Sequence, residues 1–160
     1  MKLKILAIVL FTITGFAATA QRKPADGGAM LRIISADSRR TLPGRHEMQP
    51  VTNYRIIAVW QGSRAPQNFF WRADGVWMHC QVAFAHTRAT EPGGYLTEPA
   101  TLSRIRRGDT LELVPVPGAE ALPRTMPAVR NNTLLFTAPA GKWWYKTIAK
   151  ISRQPDVIMP

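Results

Sequence analysis

The stretch "NFFWRADGVWMHCQVAF", residues 68 to 84, constrains the fold more than any other, because two aromatic-rich runs flank Asp74-Gly75. Asp-Gly is a preferred pair for a two-residue type I′ turn, whose central residues both need positive φ. Such a turn fixes the register. One face receives Ala73 opposite Val76, Trp71 opposite Met78 and Phe69 opposite Cys80. The other receives Arg72 opposite Trp77, Phe70 opposite His79 and Asn68 opposite Gln81. The first set is apolar or small throughout, and a one-residue slip would mix the two, so the partition itself supports the hairpin.

The remainder of the chain reads in the same class. After the first twenty residues no segment carries a sustained helical period with caps, and thirteen prolines punctuate the sequence. Strands are expected at 30–35, 54–62, 133–137 and 142–152, where β-branched and aromatic residues lie between turn signals. Residues 36–53, with Pro43, Gly44 and Pro50, read as a loop, and 89–100 as a loop with a short extended piece near Tyr95. "TLSRIRRGDTLELVPV" reads as a second hairpin around Arg107, Gly108 and Asp109, pairing Ile105 with Leu111 and Arg104 with Glu112, an opposite-charge pair. Its tip resembles the Arg-Gly-Asp motif of integrin recognition, but Gly-Asp is also what a turn requires, and the turn is the reading adopted. Residues 115–128 hold four prolines and read as a stiff flap over one end of the sheet. The expected architecture is an all-β, single-domain β-sandwich, immunoglobulin-like or jelly-roll-like, of about seven or eight short strands over residues 29–152. A flexible tail precedes it at 21–28, and an extended tail at 153–160 follows it, placed to dock along the domain.

The N-terminus supplies an address. "MKLKILAIVLFTITGFAATA" has two lysines, an uncharged run and a final Ala-Thr-Ala, the pattern of a secretory signal peptide over residues 1–20. The run contains Thr12, Thr14, Gly15 and Thr19 and is shorter than the roughly 20 apolar residues of a spanning helix. The mature chain is therefore expected in the periplasm, at the cell surface or outside the cell, with no transmembrane segment. Cys80 is the one cysteine, so no internal disulfide forms and stability rests on packing. Losing Lys2 and Lys4 leaves 19 of 21 basic residues against 10 acidic ones, a net charge of +9. That charge favours acidic partners. The basic pairs, Arg39-Arg40 and Arg106-Arg107, are scattered, which argues against nucleic acid. Asn131-Asn132-Thr133 matches a glycosylation sequon, relevant in a eukaryotic host.

Most catalytic constellations are missing from the sequence. No Gly-x-Ser-x-Gly elbow occurs. Glycoside hydrolysis needs two carboxylates across a cleft, whereas Asp74 and Asp109 serve turns and Glu112 is expected to pair with Arg104. No catalytic residue is assigned; in the alternative, a small envelope hydrolase or lyase, or a metal-binding protein, His79 would act with the loop carboxylates Glu91 and Glu98. His46, Met48, Met78, His79, Cys80 and His86 are ligand types that suit copper. Strand alternation, however, sends His79 and Cys80 to opposite faces, and Met78, Cys80 and His86 span more than about 20 Å at 3.3 Å per residue. No metal or other cofactor is assigned, and Cys80 reads as a small buried hydrophobe.

What remains is a surface. Phe70, Arg72, Trp77, His79 and Gln81 share the second face of the aromatic hairpin, and Trp and Arg dominate binding hot spots. The leading expectation is a non-catalytic binding or structural module of the envelope, engaging a glycan or a protein, possibly anionic, through that aromatic and basic face. "GKWWYKTIAK", 141–150, bears on its extent. Period-two alternation splits it into Trp143, Tyr145, Thr147, Ala149 and Ile151 on one side and Trp144, Lys146, Ile148 and Lys150 on the other. The first set reads as core, which would leave Trp144 and Lys146 to extend the binding face.

Overall fold

The computed structural model describes residues 23–44, 49–87, 95–118, 122–139 and 141–159. The expected leader over 1–20 lies outside the described residues, as do His46, Met48 and Glu91. Within them the chain is all-β, with one 3-10 turn at Leu102–Arg104. The strands are β1 (Ala25–Asp26), β2 (Leu31–Leu42), β3 (Val51–Trp60), β4 (Asn68–Ala73), β5 (Val76–Thr87) and β6 (Tyr95–Pro99). They continue with β7 (Thr110–Val116), β8 (Thr133–Ala138), β9 (Lys142–Thr147), β10 (Ser152–Arg153) and β11 (Val157–Ile158).

The β4–β5 hairpin has the expected turn and register. Asp74 and Gly75 take φ of 49° and 78°, and Ala73–Val76, Arg72–Trp77, Trp71–Met78 and Phe70–His79 are paired. The pairing stops there. Asn68 and Phe69 do not continue onto Gln81 and Cys80; they bond to β8 instead. β5 runs on past the hairpin to pair with β7 along one side and β6 along the other.

Instead of two packed layers of seven or eight strands, the eleven strands of the described residues form one sheet, in the order β1-β9-β8-β4-β5-β7-β3-β2-β10, with β11 also on β2 and β6 on β5. The sheet coils until its inner face packs on itself. Trp60 of β3 meets Phe136 of β8 at 5.6 Å between ring centroids although three strands separate them in the sheet. Trp60 also packs edge-on against Phe69, and Tyr54 lies against Trp71 at 5.6 Å. Right-handed strand twist, accumulated over long strands, lets one sheet enclose its own core. A register shift between Ile33 and Ser35 adds to the bend and pushes Ile34 outward.

The corner between β1 and β2 completes the enclosure. β1 is parallel to β9 while β2 pairs with β3, so one length of chain touches both ends of the coiled sheet. Gly27 makes the corner: its N–H donates to the Tyr145 carbonyl at 2.7 Å and its carbonyl accepts from Met30 and Leu31. A Cβ at this position would run into the Phe136 ring and the Tyr145 carbonyl. The flexible tail expected at 21–28 is therefore ordered from Pro24, which is buried, through β1.

Three further expectations are corrected. The loop expected at 36–53 is mostly strand, since β2 continues to Leu42 and β3 starts at Val51. That end carries exposed Arg39, Arg40, Asn53 and Val51, so it lacks the apolar alternation that signals a strand. The second hairpin does not form: β7 pairs with β3 and β5, and 102–104 is a 3-10 turn. Leu111, Leu113 and Ile105 are fully buried, and Glu112 forms its ion pair with Arg55 of β3, not Arg104. The final strand ends at Thr147, not at 152. Beyond it Ile148 is buried with its N–H on the Asn132 carbonyl, and β10 and β11 lie parallel along β2. The C-terminal segment thus docks on the domain, with the Gln154 side chain donating to Asp37 at 3.1 Å.

Candidate functional site

The outer face of the sheet is organised in cross-strand rows by the register. One row runs Trp77 (β5), Arg72 (β4), Thr133 (β8) and Thr147 (β9); the next runs Val116 (β7), His79, Phe70, Leu135 and Tyr145. Phe70, Leu135 and Thr133 are fully buried although they face away from the core. β7 and β8 are separated in the sheet by β5 and β4, and residues 122–132, part of the segment between them, meet the hairpin. Its Pro127 is buried and its Asn131 side chain accepts the Gly75 N–H at 3.0 Å. The same contact occupies the amide oxygen of the sequon asparagine.

Around this covered centre the face is partly open. Trp77, His79 and Arg72 are half-buried and Gln81 is exposed. The Arg72 guanidinium sits 5.5 Å from the centre of the Trp77 ring, a cation–π contact that presents the indole with its plane fixed. His79 packs edge-on to Phe70 at 5.4 Å, and Phe70 is 5.8 Å from Trp143. Phe70 is thus the buried support of the expected site, and His79 and Trp143 are the rings it holds.

Trp143 stands where Trp144 was expected. Opposite β8, Trp144 pairs with Phe136 and packs with the inner core, while Trp143 pairs with Thr137 on the outer side. Lys146 pairs with Leu134 and so shares the inner side with Trp144; neither extends the outer face. Lys142 instead lies 4.4 Å from the centre of the Trp144 ring. Assignment by alternation counted Ala149 and Ile151 as votes for the Trp143 side, but the strand has already ended at Thr147, so those residues carry no information about its faces.

A cleft of about 510 Å³ adjoins the open part of the face. It lies where β4 has parted from β5 and β6 has not yet joined, and His79, Gln81, Glu98, Glu112 and Val114 are among the side chains lining it. His79 and Glu98 therefore do share a cleft. Glu98 is 3.5 Å from the exposed His86, and Glu112 is held by Arg55, so the carboxylates each have a partner already. Cys80 borders the cleft from below with its side chain in the core, and burial pushes its thiol pKa well above the ordinary value. Its neighbour on β7 is Pro115, which has no N–H to give the ladder.

Compared with family models, curated proteins and solved structures, the chain matches none. The functional reading therefore rests on the site.

The Arg-Gly-Asp tip is built as a turn. Gly108 has φ of 97°, and the Asp109 carboxylate accepts the Arg106 N–H at 2.7 Å, which ties the acid to its own loop.

Proposed function

We propose that the protein is an exported, non-catalytic binding module of the cell envelope that engages a glycan through the outer aromatic line of β5. The observation that carries this reading is the fixed Trp77 indole under Arg72, in line along β5 with His79 and the exposed Gln81, beside an open cleft. A sugar ring offers an apolar face that stacks on an indole and hydroxyls that bond imidazole, amide and guanidinium groups. From Trp77 to Ala83 the line is about 20 Å long at 3.3 Å per residue, enough for several sugar units. Its support is rigid, because Phe70 and Leu135 beneath the rings are buried. The net charge of the chain favours an acidic glycan.

A glycan array probed with the wild type and with Trp77→Ala tests this. Binding to one structural class, lost in the variant, is the expected result. Hits that survive Trp77→Ala and His79→Ala together would remove this face as the site; capture of a protein partner through the same residues would replace glycan with protein. Export predicts that the mature protein begins at Gln21 when its N-terminus is sequenced from the secreting host.

A second reading, a small envelope hydrolase or lyase, is favoured by one observation: His79 and Glu98 line the same cleft. Turnover of any glycan that binds, abolished by Glu98→Gln while binding persists, would select it over the non-catalytic reading.

A further inference from the structure

A second concavity, of about 420 Å³, lies on the outer face two strands away from the aromatic line. Residues of three separate segments form it: Lys23 and Pro24 before β1, Ala128 to Arg130 of the crossover, and Thr133, Tyr145 and Thr147 of β8 and β9. Its chemistry is one-sided. Two cations and three hydroxyl-bearing side chains line it, and no carboxylate does. Among the described residues neither Lys23 nor Arg130 has an ion-pair partner. Asp26 sits opposite Tyr145 on β1, but its carboxylate is turned onto the Gly28 N–H at 2.9 Å.

The floor is built rather than incidental. Thr133 is fully buried, and its hydroxyl is 3.2 Å from that of Thr147 and 3.5 Å from the Asn131 carbonyl, so bonds within the protein hold the pair in place while Tyr145 brings a third hydroxyl to the concavity. Arg72 stands directly across from Thr133 on β4, with its Nε buried and without an acceptor. Its guanidinium, however, lies over the Trp77 ring on β5, so Arg72 stands outside the concavity and the charge within it comes from Lys23 and Arg130. Lys23 and Arg130 are exposed, and unneutralised cations gathered around a concave surface focus the field on an anion entering it.

We propose that this concavity binds an oxyanion, with Arg130 and Lys23 as its charged walls and the Thr133–Thr147 pair with Tyr145 as its hydroxyl floor. The group is a carboxylate or a phosphate, presented either as a free ion or as the acidic substituent of a glycan. The assignment does not depend on the aromatic line being a sugar site.

Backbone amide NMR titration of the mature protein separates the outcomes. The probes are inorganic phosphate, a monomeric uronic acid and a uronic-acid tetrasaccharide, each against sodium chloride of equal ionic strength. Saturable shifts centred on residues 128–130, 133 and 145–147 are expected with at least one probe and not with chloride. Arg130→Ala is expected to weaken binding about tenfold, the loss of one charge-assisted bond; Lys23→Ala should weaken it by less, since a lysine supplies a point charge without the guanidinium fork. Phosphate alone binding identifies a free-ion site, and the tetrasaccharide binding more tightly than the monomer identifies a glycan substituent. Shifts that follow ionic strength only, or that persist unchanged in the folded Arg130→Ala, Lys23→Ala double variant, would overturn the proposal. Loss of uronate binding in Trp77→Ala with phosphate binding retained would leave this site standing and implicate only the aromatic line.

Discussion

The two tryptophans of β9 are neighbours in sequence and lie on opposite faces of the sheet, and their surroundings differ as the faces do. Trp144 joins an inner face where Trp60, Trp71, Phe69 and Phe136 are wholly removed from water and touch across the coil. Trp143 joins an outer face where rings rest on a buried Phe70 but remain partly open. Both faces are aromatic, so ring content alone does not distinguish a core from a platform. Closure does: the inner face is covered by the sheet itself, whereas on the outer face Trp77, His79 and Trp143 stay partly exposed.

The largest effects that can test this contrast come from truncating one tryptophan on each face. Trp60→Ala removes a fully buried indole and its bond to the Arg64 carbonyl, and should cost about 3–5 kcal/mol in denaturant unfolding. Trp77→Ala should cost only about 1 kcal/mol, the scale of its cation–π contact with Arg72 plus partial burial. Comparable losses at both positions would mean that the outer line is a second core.

Next in size is the closure itself. Gly27→Ala sets a methyl against the Phe136 ring at the corner that joins β1 to β2, and overpacking of this kind costs about 1–3 kcal/mol. The loss should appear as a lowered unfolding midpoint with aromatic near-ultraviolet dichroism altered. A neutral outcome would show that β1 can leave β9 without disturbing the inner face.

A finer comparison stays inside the core. Trp60 and Trp71 are equally buried, yet the Trp60 N–H donates to the Arg64 carbonyl at 3.0 Å while the Trp71 Nε1 has no acceptor among the described residues. Replacement by Phe removes similar volume in both cases, but at Trp71 it also removes an unsatisfied donor. Trp71→Phe should therefore be less destabilising than Trp60→Phe by about 1 kcal/mol.

How much of this was legible in the sequence depends on which information each feature needs. The β4–β5 turn is local: Asp-Gly sets the backbone and the aromatic partition sets the register, so both were readable. The candidate residues Arg72, Phe70, Trp77 and His79 do share one face for the same reason, and Gln81 follows by alternation along β5. The number of sheets was not readable, because apolar alternation states that a face is covered without stating by what. A second sheet and a coil of the first bury the same residues. β7 looked like half of a hairpin because Arg-Gly-Asp is a good turn sequence, and nothing local reveals that Leu111 pairs with Ala58 and Phe84, and Leu113 with Ile56 and Val82, all of them far back along the chain. The concavity beside Tyr145 was missed altogether: Lys23, Arg130 and Tyr145 are scattered along the chain, and it takes the placement of both β1 and β8 against β9 to gather them.

The smallest expected effect concerns the rim where inner face meets solvent. Tyr54 packs its ring on Trp71 and directs its hydroxyl to Asp74 Oδ2 at 3.5 Å. Its pKa is raised, first by burial, then by the negative charge of Asp74 and by the hydrogen bond to it. A phenol whose folded pKa lies above its unfolded value binds its proton more tightly when folded. The stabilisation it adds is therefore complete below the unfolded value, near pH 10, and is lost as pH rises through the folded one. As pH rises above the unfolded value, the unfolding free energy of the wild type should fall more steeply than that of Tyr54→Phe. Asp74→Asn keeps a turn that tolerates positive φ, since Asn-Gly also suits type I′, and deletes the charge. Because burial is the larger cause, this variant should retain most of the pH slope and lose only part of it. A slope abolished by Asp74→Asn would mean that the carboxylate, not the inner face, governs Tyr54, and would move the boundary between the two faces inward to Trp71.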